Sequence, residues 1–136
     1  MPVCVLDSTA LDELGSPEWR RALLEAGYDL VVPTAVLAER WTGRPRDHQL
    51  RLGLRSTRRL ALDEGRANAA GELRAKVVPA RRRAPSAVDA VVVAVADHEA
   101  RRDRVLVLTA DVADFEALRE HTTQQSAHHY PANISQ

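Results

Sequence analysis

The 136-residue sequence has one cysteine, one lysine and few aromatic residues, and nowhere an apolar run long enough to cross a bilayer. Cys4 alone cannot close an internal disulfide, so the fold relies on burial and suits a reducing compartment. The start "MPVCVLDSTA" has no basic segment ahead of a long apolar one, and no run approaches the ~18 residues of a span. The expected protein is soluble and cytoplasmic, with no membrane partner. Net charge is also missing: 19 basic residues balance 19 acidic ones. A global positive field is thereby excluded, and any contact with nucleic acid must be local. The G-x-S-x-G elbow, the P-loop and the dinucleotide fingerprint G-x-G-x-x-G are all absent, which removes the commonest α/β enzymes. Zinc has no ligand set either, because Cys4 is alone and the single histidine pair, His128-His129, reads as tail composition.

What is present is enough for one domain with a real core, at 45% hydrophobic residues. "VCVL" (3–6), "DLVVP" (29–33) and "RVLVLTAD" (104–111) are apolar on both faces and give way abruptly to polar turns, as buried strands do. Helical spacing lies between them: Trp19, Leu23 and Leu24; Val36, Leu37 and Trp41; and the Ala/Val run from Ala87. Strands of this kind alternating with helices predict a parallel sheet in an α/β fold, with helices on its faces. A weaker strand is expected at "RLAL" (59–62), followed by a helix through "EGRANAAGELRAKV". Ala67, Ala70 and Gly71 form a small-residue stripe on that helix, consistent with ordinary core packing.

The run "PSAVDAVVVAVADHEA" sets an ionised carboxylate, Asp89, inside a helix made for a core. Burying a lone carboxylate is so unfavourable that it takes a proton, a partner or a metal, or sits at a helix end. Ser86 three residues ahead of Asp89 supplies the helix-end explanation, a capping box. Asp7 ends the first strand, Glu39 follows the second, and Asp111 with Asp114 follows the "VLVLT" strand. Each has an ordinary helix-start or solvent-facing reading. In a parallel α/β sheet, however, strand C-termini and helix N-termini gather along one edge, so these acids can converge. Ala35, Ala38 and Thr42 leave room for Glu39 to point inward. Crowded carboxylates repel and raise one another's pKa, and a hard divalent cation relieves this, so an all-oxygen set favours Mg²⁺ or Mn²⁺.

Six arginines lie between 44 and 59 against the one carboxylate of Asp47. Arg51, Arg55 and Arg58 have the spacing of one helix face. These residues, and Arg81 to Arg83, are candidate phosphate contacts, with Arg51, Arg55, Arg81 and Arg82 as the RNA-binding set; a solvated basic face is the alternative.

The pieces "VLDSTAL", "VVPTAVLAERW", "AVDAVVVAVA" and "VLTADVADFEAL", in this order from Val3 to about Leu118, resemble the PIN-domain ribonucleases, most closely the VapC-type toxins of bacterial toxin–antitoxin pairs. The resemblance implies a three-layer α/β/α sandwich on a parallel sheet and Mg²⁺- or Mn²⁺-dependent endoribonuclease activity. It also implies a homodimer and a cognate antitoxin that covers the active site. It assigns Asp7 and Asp89 as principal metal ligands, with Glu39 and Asp111 completing a catalytic pocket. Asp114 becomes a peripheral ligand and Thr109 an orienting hydroxyl. Residues 1–120 would form the domain and 121–136 a polar tail or weak last strand. The closing strand of that family is the one element the residues do not mark, with only Ala132 to Ile134 of suitable character. Two other functions fit the same acids: a non-catalytic PIN-like module that binds RNA or protein, and a metal-dependent DNA nuclease or phosphatase.

Overall fold

The computed structural model describes residues 1–14, 17–78, 85–122 and 128–130. Its centre is a five-stranded, all-parallel sheet in the order β3-β2-β1-β4-β5. The strands are β1 (Val3–Leu6), β2 (Asp29–Pro33), β3 (Arg58–Leu60), β4 (Val105–Leu108) and β5 (His128–Tyr130). β1 is central, and every one of its residues is buried. This is why "VCVL" reads as continuously apolar rather than alternating: helices cover both faces of a parallel sheet. Burial pushes the Cys4 thiol up to about 12, so it is a small inert hydrophobe here.

The helices form the two outer layers of an α/β/α sandwich. On one side α1 (Ser8–Leu14) and α2 (Pro17–Glu25) pack on β1 and β2, with α4 (Asp47–Leu54) against α1. On the other, α6 (Ala87–Glu99) crosses β1, β2 and β4 and is covered by α5 (Glu64–Val77) and α7 (Val112–Arg119). All of Ala90 to Ala96 is consequently buried, which accounts for a helix that is apolar around most of its circumference. The short α3 (Thr34–Arg40) continues directly from β2.

Several sequence expectations shift. β3 begins at Arg58, one residue before "RLAL", because α4 stops at Leu54. Arg58 therefore does not share a helix face with Arg51 and Arg55: it is a strand residue, and its guanidinium pairs with Asp29 at 3.0 Å. The small-residue stripe of α5 is not its packing face. Ala70, Leu73 and Val77 are buried, whereas Ala67 and Gly71 are exposed, and a Cβ on Gly71 would meet nothing within 4 Å. A closing strand exists, but at His128–Tyr130, in register with Leu106 to Leu108. His128 and His129 are thus strand residues rather than tail. Ala132 to Ile134 lie outside the described residues, as do Arg81 to Arg83.

Candidate metal centre

Chain order sets the position of the site. From β1 the chain steps outward through β2 to β3, then returns to the far side of β1 with β4. The crevice between the C-terminal ends of β1 and β4 is therefore the topological switch point, where ligands bind in open α/β sheets. Asp7 follows β1 there, and Thr109 and Asp111 follow β4.

Hydrogen bonds fix both turns. Thr9 Oγ1 donates to Asp7 Oδ1 at 2.7 Å and accepts from the Ala110 N–H at 3.0 Å. One hydroxyl thus ties the two strand ends together across 101 positions of sequence. Asp7 Oδ1 also accepts from the Ala10 N–H at 2.9 Å, so it starts α1 while standing at the crevice. Thr109 is fully buried, and its hydroxyl accepts from the Asp111 N–H at 2.9 Å. Its action is on the backbone that presents Asp111.

The capping readings hold, and they coexist with clustering. Ser86 Oγ accepts from the Asp89 N–H at 3.0 Å at the start of α6. Asp111 caps α7 by accepting from the Asp114 N–H at 3.5 Å. Two helix N-termini therefore meet at the crevice, and their partial positive charge favours anions. It does not cancel the crowding: carboxylate oxygens of Asp89, Asp111 and Asp114 lie within 4.8 Å of one another. The pKa of Asp89 rises to about 6, first because its partial burial strips water from the charged form, then because Asp111, Asp7 and Asp114 add negative charge. The Ser86 hydroxyl bond opposes that rise and is outweighed. A converging all-oxygen donor set whose negative charges raise the pKa of Asp89 fits a hard divalent cation.

The sequence-derived residues therefore divide. Asp89, Asp111 and Asp114 come together, and Asp7 stands close enough for its charge to act on Asp89. Glu39 does not join them. It is exposed near the end of α3, and Ala38 beside it is exposed too, so the small-residue face does not turn it inward. Arg51 stacks on the Trp41 ring, 5.0 Å from its centroid, while Arg55 flanks a different groove with Arg20 and Arg21.

Sequence reasoning passed over Thr9 and Asp47. Asp47 is buried and accepts from Thr42 Oγ1 at 2.7 Å and from the Gly43 N–H at 2.6 Å, closing the loop between α3 and α4. Gly43, at φ 76°, takes the left-handed turn that this loop needs. Burial alone would raise the pKa of Asp47. Bonds from the Thr42 hydroxyl and from the Gly43, Thr42 and Arg44 N–H groups outweigh it and hold the carboxyl below its usual range. A lowered pKa means that the stabilisation is complete above the unfolded value and is lost as pH falls through the folded one. Asp47→Ala should then lower the urea midpoint at pH 7, and the gap from wild type should narrow at pH 3. A gap of equal size at both values would remove the charge from this account.

Comparison with protein-family models and with curated sequences finds no match. Among solved structures, a chain of VapBC2 from Rickettsia felis, determined bound to a DNA fragment from its promoter, aligns with TM-score 0.64. Identity is 14%, over 93% of this chain and 98% of that one. The two share a fold. A predicted subunit of a tRNA methyltransferase from Methanocaldococcus jannaschii aligns at TM-score 0.42 and 14% identity, over 96% of this chain and 67% of that one, too loosely to carry an argument. Among the described residues, no helix is long and apolar enough to cross a membrane.

Proposed function

We propose that the protein is a metal-dependent endoribonuclease of the PIN type, the toxin of a toxin–antitoxin pair. The observation that carries this is the meeting of Asp89, Asp111 and Asp114, from two helices, within 4.8 Å at the switch point. The fold shared with VapBC2 and the order of acids along the sequence support the toxin reading. In this reading Asp89, Asp111 and Asp114 hold Mg²⁺ or Mn²⁺, with Asp7 as the fourth acid facing the ion. When bound, the ion supplies Lewis acidity toward a phosphodiester and toward water.

The protein's own groups do the positioning. Thr9 holds the Asp7 carboxylate in one orientation, and Thr109 holds the turn that presents Asp111. Asp111, the most exposed of the three clustered acids, is the group placed to orient a water molecule for attack. Glu39 stands at the rim of a neighbouring cleft and acts on substrate beyond the scissile bond. Arg44, Arg46 and Arg51 provide positive charge that offsets the anionic crevice for an incoming backbone. A cognate antitoxin and a homodimer belong to the same proposal.

The test is a substrate panel with Mn²⁺: single-stranded RNA, DNA of the same sequence, and a phosphate monoester. Internal cuts in RNA alone are the expected result. Cutting of DNA at an equal rate, or monoester hydrolysis only, would replace the assignment with one of its competitors. RNA binding without any cleavage would establish the non-catalytic module.

A further inference from the structure

We infer that Trp41, held at the anchored C-terminal end of α3, is a base-stacking platform for single-stranded RNA. The inference rests on the ribonuclease reading and gives that site a contact with its substrate.

Trp41 is one of two tryptophans in the chain and is 43% exposed, although a ring of that size usually hides most of its surface. It is not loosely held. It is the C-cap of α3, its N–H donating to the Leu37 carbonyl at 2.8 Å. The preceding residue, Arg40, sends Nε to the Ser8 carbonyl at 2.9 Å, and Ser8 adjoins Asp7. Trp41 is thereby tethered to the same sheet edge as the acids. The loop that follows is locked by Asp47, as described above, and it presents Arg44 and Arg46 to solvent.

One side of the ring is occupied, because the Arg51 guanidinium lies over it. The contact fixes the indole and adds positive charge to the stack. An immobilised aromatic ring within a group of exposed arginines suits an unpaired base with its phosphates, since bases stack on aromatic rings whatever their sequence. The residues flanking Trp41 in sequence, Arg40 and Thr42, line an open cleft of about 470 Å³ together with Glu39, Arg46, Asp47 and Gln49. That volume is in the range of small-ligand pockets, roughly 300–1,000 Å³. Charge complementarity selects the occupant: described residues 39–51 carry Arg40, Arg44, Arg46 and Arg51 against Glu39 and Asp47, the latter engaged by the loop.

The test uses the full chain in EDTA, so that binding is read without cleavage. In a Trp19→Phe background Trp41 is the sole tryptophan, and an eight-nucleotide uridine oligomer should quench its fluorescence. Trp41→Ala should weaken binding of labelled RNA roughly 5- to 100-fold, the loss of one stacked base, with an unchanged melting temperature. Trp41→Phe should recover most of that affinity. Equal RNA affinity for wild type and Trp41→Ala would overturn the inference and leave the cleavage result standing. Trp41-dependent binding without cleavage in Mn²⁺ would retain the platform and overturn the nuclease reading instead. Quenching by a polyglutamate peptide and not by RNA would make this face a protein-docking surface and overturn the inference.

Discussion

Asp89→Asn should abolish cleavage and at the same time make the metal-free protein more stable at neutral pH. The two effects have one origin. Asparagine keeps the shape of aspartate and leaves the Ser86 cap intact, because that bond uses the backbone N–H of residue 89. What disappears is one negative charge among Asp7, Asp111 and Asp114. Losing one preorganised electrostatic group typically costs about 10²- to 10³-fold in rate, and a metal ligand at least that. The stability effect follows from a pKa of about 6. The folded state holds this proton more tightly than the unfolded chain does, so stability is greatest below pH ~4. It falls as pH rises toward 6, and above 6 the penalty is complete. A shift of this size corresponds to about 3 kcal/mol, which partial exposure to solvent reduces to about 1–2 kcal/mol. Urea melts of the two proteins should therefore coincide at pH 3.5 and separate by that amount at pH 8, with the variant the more stable. Ser86→Ala is the control: it should cost about 1 kcal/mol at pH 3.5 from the lost cap. At pH 8 it should cost more, because the hydroxyl bond that favours the Asp89 carboxylate is lost too. It thus destabilises where Asp89→Asn stabilises, and it should leave catalysis near wild type. If Asp89→Asn cuts RNA normally and melts earlier at pH 8, Asp89 is only a helix-start residue.

Mn²⁺ should raise the melting temperature by about 10 °C when present at a hundredfold excess over its dissociation constant. Binding to the folded state alone at that concentration contributes about 2.7 kcal/mol. For a chain of this length each kcal/mol moves the midpoint by about 3–5 °C. Because Asp89 must be ionised to act as a ligand, the gain should fade as pH drops through about 6. It should be largely absent in Asp89→Asn and unaffected by Trp41→Ala. A shift of equal size at pH 5 and pH 8, or one that survives Asp89→Asn, would place the ion elsewhere. The two measurements are independent, since one follows the charge without metal and the other follows the metal itself.

The parts of this molecule that could be read from sequence are those whose physics is local. β1, β2 and β4 announce themselves because a strand buried on both faces has no polar residue to interrupt it. The helix of Glu64–Val77 was expected with those same ends, through "EGRANAAGELRAKV". Asp89 and Asp111 were recognisable as helix-start residues, and convergence followed from the rule that parallel strands deliver their ends to one edge. What escaped depends on contacts between distant positions. Nothing near Thr9 indicates that its hydroxyl will hold Ala110. β5 is a strand because β4 offers it an edge, not because "HHY" is apolar. Glu39 sits where the resemblance puts it in sequence, and it is exposed near the end of α3, outside the cluster of Asp89, Asp111 and Asp114. Asp47 was nearer to being legible. A Thr-Gly pair four and five residues before an aspartate is a loop-closing pattern, obscured here by the arginines around it.

The strand order carries a consequence for synthesis. β1 is made first, yet its second neighbour, β4, begins at Val105, and Val3 pairs with Val105 across most of the chain. A nascent polypeptide that has emerged only through α5 has Asp7 and Glu39 but lacks α6 and β4, and so lacks Asp89, Asp111 and Asp114. In that state one edge of the central strand is open, with its backbone groups exposed to pairing with other chains. Contacts of such long sequence separation also form late and slowly. Truncated or stalled products of this gene should accordingly be catalytically silent and prone to aggregate. The acids in this order can assemble the proposed metal centre only once α6, β4 and the start of α7 have all emerged.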